Sequence, residues 1–361
     1  MIELSDLKYV NASMRDRINE KVLQVIDSNS FVDSQYVYDF EKEFSKYLGA
    51  RYCVSVGNGT DALEIAISCL SLPIHSEIII PDCTFIATAE AVVNTGHIPI
   101  IADVKDDFTI DPDSIECLIT KRTGAIICVH LYGNPCDMDK ISEIAKSHNI
   151  HLIEDAAQAH GSCYKGKRVG VLSDLGCFSF YPSKILGAYG DAGAIITNSD
   201  YLAQKILQLR NHGRQEKNNH VMFGRNSKID SIQAVVLSEK LKQIDNLIKK
   251  RRKDAAIYDN ELANVESIST ISPMGESSYY QYAICSNWRD RLTQYLADNG
   301  IECGVYYKKT ISQYPFVNRN EKYDNYRSKE LFSKVLSLPI GMHIDEQKQL
   351  YIVDKLRAFR P

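Results

Sequence analysis

One lysine lies in a setting that could make its amine reactive. Residues 175–198 read LGCFSFYPSKILGAYGDAGAIITN, so two apolar segments with strand propensity flank a glycine-rich loop that carries Lys184. An apolar environment disfavours the charged form of a lysine and favours the neutral, nucleophilic amine. Such an amine can condense with an aldehyde. The simpler interpretation is a surface lysine in a glycine-rich loop.

A second motif, GNGTDAL at residues 57–63, has the composition of an anion-binding turn. It follows an apolar strand and begins a helix, so the free N–H groups of Gly59, Thr60 and Asp61 point with the helix dipole toward one spot. Such a spot binds phosphate readily. A plain helix cap formed by Thr60 or Asp61 is the alternative, because the motif matches neither the Walker A nor the dinucleotide-binding pattern.

A third motif places a carboxylate at the end of a strand. In IEDAAQAHG, residues 153–161, Asp155 ends an apolar run, and Gln158 and His160 follow it closely. A carboxylate there could keep a pyridinium nitrogen protonated, which makes pyridoxal phosphate an effective electron sink. Asp155 could equally cap a helix, and His160 could be an ordinary packed histidine.

The segments around these motifs alternate between apolar strands and helices. The pattern predicts strands at 51–56, 77–80, 98–104, 124–132 and 150–155, with helices at 60–70, 88–95 and 138–147. We therefore expect an α/β fold whose mostly parallel sheet is covered on both faces. Ligands of such sheets bind beyond the carboxyl ends of the strands, where all three motifs lie.

The remaining segments are predicted to be mainly helical. Helices are expected before residue 48, at 201–210 and, as one long helix, at 229–262. The tyrosine-rich remainder is typical of a smaller α+β domain, so we assign residues 1–245 to an N-terminal arm and large domain and 246–361 to a small domain. The basic run KKRRK at 249–253 is interpreted as a solvated helix face.

Composition restricts the class of protein. A chain of 361 residues with 44% hydrophobic residues and a net charge of −4 is typical of globular proteins and does not favour nucleic acid or an anionic membrane as partner. Ten scattered cysteines without a CxxC pair favour free thiols in a reducing compartment over disulfides or a metal site. Without a signal peptide or a long apolar run, the sequence predicts a cytoplasmic protein.

Six motifs, taken in order, resemble the DegT-type nucleotide-sugar aminotransferases. They are GNGTDAL, PDCTFIATA (81–89), HLYGNPCDMD (130–139), IEDAAQAHG, FSFYPSKILGAYGDAGAI (178–195) and GRNSKID (224–230). The resemblance is close over residues 30–260 and looser elsewhere. It implies fold type I of the pyridoxal-phosphate enzymes, with a mostly parallel sheet flanked by helices and a smaller C-terminal α+β domain.

The resemblance also implies which residues do the chemistry. Lys184 would condense with the aldehyde of pyridoxal 5′-phosphate and serve as the acid-base catalyst. Asp155 would pair with the pyridinium nitrogen, and Gln158 would contact the phenolic oxygen.

Other motif residues are implied to bind the rest of the cofactor. Gly59, Thr60 and Ser179 would bind the phosphate, and Phe85 would stack on the ring. Asn226 would reach the phosphate of a second subunit, which implies a homodimer with shared active sites.

The family implies transfer of an amino group from L-glutamate to a nucleotide-linked keto-sugar. Members with histidine at the position of Lys184 act as dehydratases, so the lysine favours transamination. Asp191 and Ala192 resemble members that aminate carbon 3 of dTDP-3-keto-6-deoxyhexoses. The alternatives are amination at carbon 4, a UDP- or GDP-linked sugar, and a regulator that keeps the fold without catalysis.

Six residues are candidates for substrate binding. Tyr306 and Tyr307 could stack on a nucleotide base and Lys308 could meet the diphosphate, although all three could instead belong to the core and rim of the small domain. The other candidates are Tyr181, His212 and Arg214. Two departures from the family pattern concern the site: Ile185 replaces a common asparagine, and residues 306–308 replace a histidine-proline pattern.

Overall fold

Strands and helices alternate in the computed structural model, which describes residues 1–317 and 327–361. The strands are β1 (Tyr52–Val56), β2 (Glu77–Pro81), β3 (Ile98–Ala102), β4 (Thr123–Val129), β5 (His151–Asp155), β6 (Cys163–Tyr164), β7 (Lys167–Arg168), β8 (Leu175–Ser179), β9 (Gly193–Thr197), β10 (Arg214–Glu216), β11 (Asn219–His220), β12 (Ser269–Thr270), β13 (Tyr282–Cys285) and β14 (Val335–Leu338). The α-helices are α1 (Leu7–Ala12), α2 (Arg15–Ser28), α3 (Gln35–Leu48), α4 (Gly59–Cys69), α5 (Ala87–Asn94), α6 (Pro112–Leu118), α7 (Met138–Ser147), α8 (Asp200–Leu209), α9 (Ser231–Leu241), α10 (Ile244–Leu262), α11 (Arg289–Asp298), α12 (Arg327–Lys334) and α13 (Glu346–Ala358).

Seven strands form the central sheet in the order β1-β9-β8-β5-β4-β2-β3. The run from β3 to β8 is parallel, and β9 is antiparallel to both β8 and β1. The expected mostly parallel sheet flanked by helices is therefore confirmed. Because β1, β5 and β8 end at the same edge, the turns that follow them converge there.

Burial of both sheet faces explains why the strands read as continuous apolar runs. In β2, Ile78 and Ile80 pack in the core that contains residues of α4 and α5. Ile79 between them packs in the core on the opposite face, with residues of α3 and α7. Successive side chains of a strand point to opposite faces, so a sheet covered on both sides needs apolar residues at every position.

The helix predicted at 229–262 is wrong in one respect, because the structure divides it into α9 and α10. The break falls at Lys242 and Gln243, where no proline or glycine signals it, and both residues keep right-handed helical dihedral angles. Leu237 of α9 and Ile248 of α10 contribute to the large core, whereas Tyr258 and Leu262 contribute to the core of the C-terminal segment. Together the two helices therefore contribute to both cores.

The C-terminal segment has a sheet of its own. Strands β12, β13 and β14 form a three-stranded antiparallel sheet. Residues of α10, α11 and α13 share its core. The boundary expected after residue 245 stays a prediction, and α10, which begins at Ile244, contributes to the cores on both sides of it.

The basic run at 249–253 is only partly the solvated helix face that its charge suggests. Arg251 donates hydrogen bonds to the carbonyl oxygens of Tyr279 at 3.0 Å and Tyr280 at 3.3 Å, and burial lowers its pKa to about 10. Arg252 donates to the carbonyl oxygen of Ser277 at 2.9 Å. These bonds attach α10 to the segment that precedes β13.

The ten cysteines are free thiols. Of the helices in the described residues, none is both long and apolar enough to cross a membrane.

Candidate active site

A cavity of about 680 Å³ opens at the carboxyl edge of the central sheet. Most of its lining residues belong to the ends of β5 and β8, to the loops after β1, β2, β5 and β8, and to the starts of α4 and α5, and Tyr280 and Tyr307 come from the C-terminal segment. Nine of the fourteen residues expected to bind cofactor or substrate line this one cavity: Gly59, Thr60, Phe85, Asp155, Gln158, Ser179, Tyr181, Lys184 and Tyr307.

Lys184 is half-buried in a turn that follows β8. Its N–H donates to the carbonyl oxygen of Tyr181 at 2.8 Å, and its Nζ lies 4.5 Å from the ring centroid of Tyr280. Gly187 permits the turn, because a Cβ there would lie 2.3 Å from the carbonyl oxygen of Pro182. The amine therefore faces the cavity over an aromatic ring, with no hydrogen bond from another described residue restraining it.

Asp155 is buried at the end of β5, and two donors orient its carboxylate. Thr88 donates from its hydroxyl at 3.0 Å, and the N–H of Ala157 donates at 3.2 Å. Burial raises the pKa of Asp155, whereas these two hydrogen bonds and the charges of Lys184 and His130 act in the opposite direction. A cation bound in the cavity beside this carboxylate would stabilise its ionised form.

The turn after β1 is capped, but not by the residues that the sequence suggested. Asn58 is the N-cap of α4, and its side chain accepts from the N–H of Asp61 at 2.8 Å, so the alternative of a cap formed by Thr60 or Asp61 is wrong. The N–H groups of Gly59 and Thr60 are left at the free end of the helix. Gly59 must lack a side chain, because a Cβ there would lie 2.6 Å from the Cβ of Ser179.

Gln158 is held between two elements. Its side-chain oxygen accepts from the N–H of Tyr132 at 2.8 Å, and its amide nitrogen donates to the hydroxyl of Tyr307 at 3.1 Å. The ring of Tyr307 lies 5.5 Å from that of Phe85, centroid to centroid. Burial raises the pKa of Tyr307, so this hydroxyl stays protonated and can donate a hydrogen bond into the cavity.

Five predicted site residues do not line the cavity of a single chain. Asn226, His212 and Arg214 belong to the segment around β10 and β11 and are not buried. Tyr306 does not line the cavity, but its ring lies 5.8 Å from that of Tyr307, centroid to centroid, and its carbonyl oxygen accepts from the hydroxyl of Tyr132. Lys308 is exposed. The roles expected of these five residues stay predictions.

Two other residues singled out in the sequence are buried and do not line the cavity. Ile185, which replaces a common asparagine of the family, packs in the large core. His160 is a packed histidine, with its ring 5.5 Å from that of Phe178 and 5.7 Å from that of Phe180. Burial lowers its pKa to about 3, so the ring is neutral.

Sequence reasoning missed three residues of this site. Thr88 orients Asp155, Tyr132 orients Gln158, and Tyr280 lies beneath Lys184. Thr84 and Thr88 share a hydrogen bond of 2.8 Å, and their spacing of four residues at the start of a helix was an available signal. Tyr132 and Tyr280 carried no such signal, because their partners lie far away in the chain.

Comparisons with known proteins agree along nearly the whole chain. The model of the DegT/DnrJ/EryC1/StrS aminotransferase family matches residues 12–357. A dTDP-3-amino-3,4,6-trideoxy-alpha-D-glucose transaminase of Streptomyces venezuelae is 36% identical over 98% of this chain and 95% of its own. A UDP-2-acetamido-2-deoxy-3-oxo-D-glucuronate aminotransferase of Pseudomonas aeruginosa is 38% identical over 96% of each chain.

Solved structures agree as well. DesV of S. venezuelae, in complex with a ketimine intermediate, has a TM-score of 0.95 and 35% identity over 99% of this chain and 97% of that one. NtdA of Bacillus subtilis, with bound cofactor PMP, has a TM-score of 0.92 and 31% identity over 98% and 84%.

Proposed function

The chain belongs to the DegT/DnrJ/EryC1/StrS aminotransferase family, and from that premise we propose that it moves an amino group from L-glutamate to carbon 3 of a dTDP-linked 3-keto-6-deoxyhexose. One observation carries the proposal: an amine, a buried carboxylate and a phosphate-binding turn, from Lys184, Asp155 and residues 59–60, face the same cavity. A regulator without catalysis would not need these three groups together. The cavity therefore favours the enzyme over the non-catalytic alternative.

Pyridoxal 5′-phosphate is the proposed cofactor, and the residues of the cavity fit it. The N–H groups of Gly59 and Thr60 and the hydroxyl of Ser179 are donors for a phosphate at a helix N-terminus. Asp155 offers a buried carboxylate for a cationic ring nitrogen. When bound, the cofactor supplies an aldehyde that takes up the amino group and a ring that withdraws electrons.

Four residues that line the cavity have a defined role in the proposed reaction. Lys184 moves a proton to and from the substrate carbon, because its amine reaches the cavity and other described residues leave it unrestrained. Asp155 keeps the ring nitrogen cationic. Phe85 covers a ring face, and Gln158, fixed by Tyr132, donates toward the phenolic oxygen.

The substrate is proposed to enter along the exposed wall of the cavity. Tyr181 and Phe85 are both more than half exposed, and Tyr307 contributes a hydroxyl that Gln158 holds in place. The relative from S. venezuelae is named for a dTDP-linked 3-amino sugar and the one from P. aeruginosa for a UDP-linked 3-oxo sugar. Both names support carbon 3, and they differ in the nucleotide.

The active unit is proposed to be a homodimer, and the geometry around Asn226 supports this. Arg225 contacts Asp61 at 3.2 Å and Ser227 donates to the other oxygen of Asp61 at 2.6 Å, so both neighbours of Asn226 are fixed to the chain's own α4. Asn226 itself is exposed, and nearby Phe223 is fully exposed. A second copy would cover this surface and receive Asn226 at its phosphate turn. His212, Arg214, Tyr306 and Lys308 are proposed to meet the nucleotide part of the substrate in that dimer.

A mixture of two variants, each expected to be inactive alone, tests the shared site. Lys184→Ala and Asn226→Ala proteins, unfolded together and refolded, form mixed dimers in which one site has both native residues. We expect about a quarter of the wild-type activity to return. If mixing restores no activity, Asn226 does not act across subunits.

A panel of substrates tests the function itself. The protein is incubated with glutamate and with dTDP- and UDP-linked 3-keto and 4-keto sugars, and products are identified by mass spectrometry. We expect amination of the dTDP-linked 3-keto sugar. Amination of only 4-keto or only UDP-linked sugars would contradict the proposed substrate, and amination of none by a protein that also lacks the visible absorbance of bound cofactor would contradict the proposed enzyme.

A further inference from the structure

A buried lysine on α9, outside the cavity, contacts the loop that carries Lys184. Lys240 is only 5% exposed. The described residues offer its ammonium group one hydrogen-bond acceptor, the carbonyl oxygen of Gly187 at 2.7 Å, and the ring face of Tyr189 at 4.5 Å. Burial lowers its pKa to about 8. Burial of an ammonium group without a carboxylate partner costs free energy. We therefore expect this lysine to have a specific role.

A second residue of α9 contacts the same loop two residues further along the chain. The side-chain oxygen of Gln233 accepts from the N–H of Tyr189 at 2.8 Å. A Cβ on Gly190 would lie 3.0 Å from the side-chain nitrogen of Gln233, so the chain passes close to this side chain. Gln233 and Lys240 lie seven residues apart, about two helical turns, and therefore on the same face of α9.

The loop that they hold begins and ends in the cavity. Lys184 and Asp191 both line it, whereas Leu186 and Ala188 between them are fully buried. Within the loop, the N–H of Lys184 donates to Tyr181 and the N–H of Ala188 donates to Phe180, each at 2.8 Å. Movement of the middle of the loop would therefore move both residues that face the cavity.

We infer that Lys240 and Gln233 are positioning residues that fix the loop of Lys184 and so determine where its amine points. The inference deepens the proposed function and rests on it for the role of Lys184. Lys240 binds a backbone carbonyl oxygen, which any residue at 187 would present, and Gln233 binds a backbone N–H. These two contacts, which we call the clamp, therefore fix the backbone of the loop and do not depend on the side chains at residues 187 and 189. α9 can serve as its base because Ala234 and Leu237 anchor the helix in the large core.

Hydrogen exchange and steady-state kinetics of the full chain test the inference. Lys240→Met keeps the length of the side chain and removes its donor. We expect the amides of residues 184 and 188 to exchange about tenfold faster, since a buried carbonyl loses a charged partner, and kcat to fall by a similar factor. Lys242→Met is the matched control: Lys242 lies on the same helix end, is exposed and pairs with Glu239, so both quantities should stay at wild-type values.

If Lys240→Met does not fold, a pair of variants at Gln233 tests the same inference. Gln233→Glu keeps an oxygen that can accept from the N–H of Tyr189, and Gln233→Leu does not. We expect faster exchange at residue 189 in the leucine variant alone. Wild-type exchange in Lys240→Met, or in Gln233→Leu, would overturn the inference, and so would an increase spread evenly over the large domain. Hydrogen exchange is measured without cofactor or substrate. It therefore tests whether Lys240 and Gln233 hold the loop even if the proposed reaction proves wrong.

Discussion

The two sides of the cavity are built in different ways. One side, which we call the cofactor wall, is formed by the end of β5 and the turn after it. Its residues Asp155 and Gln158 are each 6% exposed, and each makes two hydrogen bonds within the chain. The substrate wall, formed by Tyr181 and Tyr307, is more open: Tyr181 is 55% exposed, and Phe85, which is proposed to cover the cofactor ring, lies beside Tyr307 and is 52% exposed. A rigid, buried wall suits a cofactor that stays bound, and an open wall suits a substrate that enters and leaves.

The two walls also differ in how many of their proposed residues line the cavity of a single chain. Every residue proposed to bind the ring or the phosphate from within the chain lines the cavity, whereas four of the six substrate candidates lie outside it. Apart from Asn226, which is proposed to come from a second chain, the residues proposed to bind the cofactor come from one chain. The substrate wall is proposed to be completed by a second chain, so mutations should have their largest effects on the first wall and graded effects on the second.

Removal of the amine should have the largest effect. In Lys184→Ala no other lysine reaches the cavity within the described residues, so covalent attachment of the cofactor and all turnover should be lost. Borohydride reduction followed by peptide mass spectrometry should find the cofactor on Lys184 in the wild type and nowhere in the variant. Lys253→Ala, which changes an exposed lysine, should behave as wild type. An active Lys184→Ala protein would refute the assignment.

Loss of the buried charge should come next. Asp155→Asn keeps the shape of the side chain but cannot pair with a cationic ring, so kcat should fall by about 100-fold or more while the cofactor still binds. The measurement is kcat together with the visible spectrum of the purified protein. Asp174→Asn, at the opposite edge of the sheet, is the control, because this carboxylate is half exposed and pairs with His151. If both substitutions lowered kcat equally, the proposed role of Asp155 would be contradicted.

A methyl group in the phosphate turn should weaken cofactor binding. In Gly59→Ala the new Cβ would meet the Cβ of Ser179 at 2.6 Å, so the turn and β8 must separate where the phosphate is proposed to bind. We expect the dissociation constant of pyridoxal phosphate to rise about tenfold or more, measured by titration of the apoprotein. Binding of pyridoxal, which has no phosphate, should change much less. Equal losses for both ligands would show that the phosphate lies elsewhere.

The sequence predicts the cofactor wall better than the substrate wall for a physical reason. Asp155 and Gly59 lie at or just beyond the ends of apolar strands, so their position follows from the local pattern and from the rule that parallel strands end together. The hydrogen bond from Thr88 joins residues 67 positions apart, and Tyr280 reaches Lys184 from the segment that precedes β13. No local pattern encodes such contacts. The break after α9 was missed because residues 242–243 stay helical in their dihedral angles and contain no helix breaker.

The smallest effect is expected where the two walls meet. Tyr307 belongs to the substrate wall, but its hydroxyl accepts from Gln158 of the cofactor wall at 3.1 Å. Tyr307→Phe keeps the ring beside Phe85 and removes one hydrogen bond in a half-buried place, so the KM for the keto-sugar should rise severalfold. The half-reaction with glutamate, followed by the change in the visible spectrum, should keep its rate within about twofold. Tyr351→Phe is the control, because the hydroxyl of Tyr351 donates to the carbonyl oxygen of Asn299 and neither residue lines the cavity. If the glutamate half-reaction slows as much as the sugar half-reaction, Tyr307 acts through Gln158 on the cofactor and belongs to the buried wall.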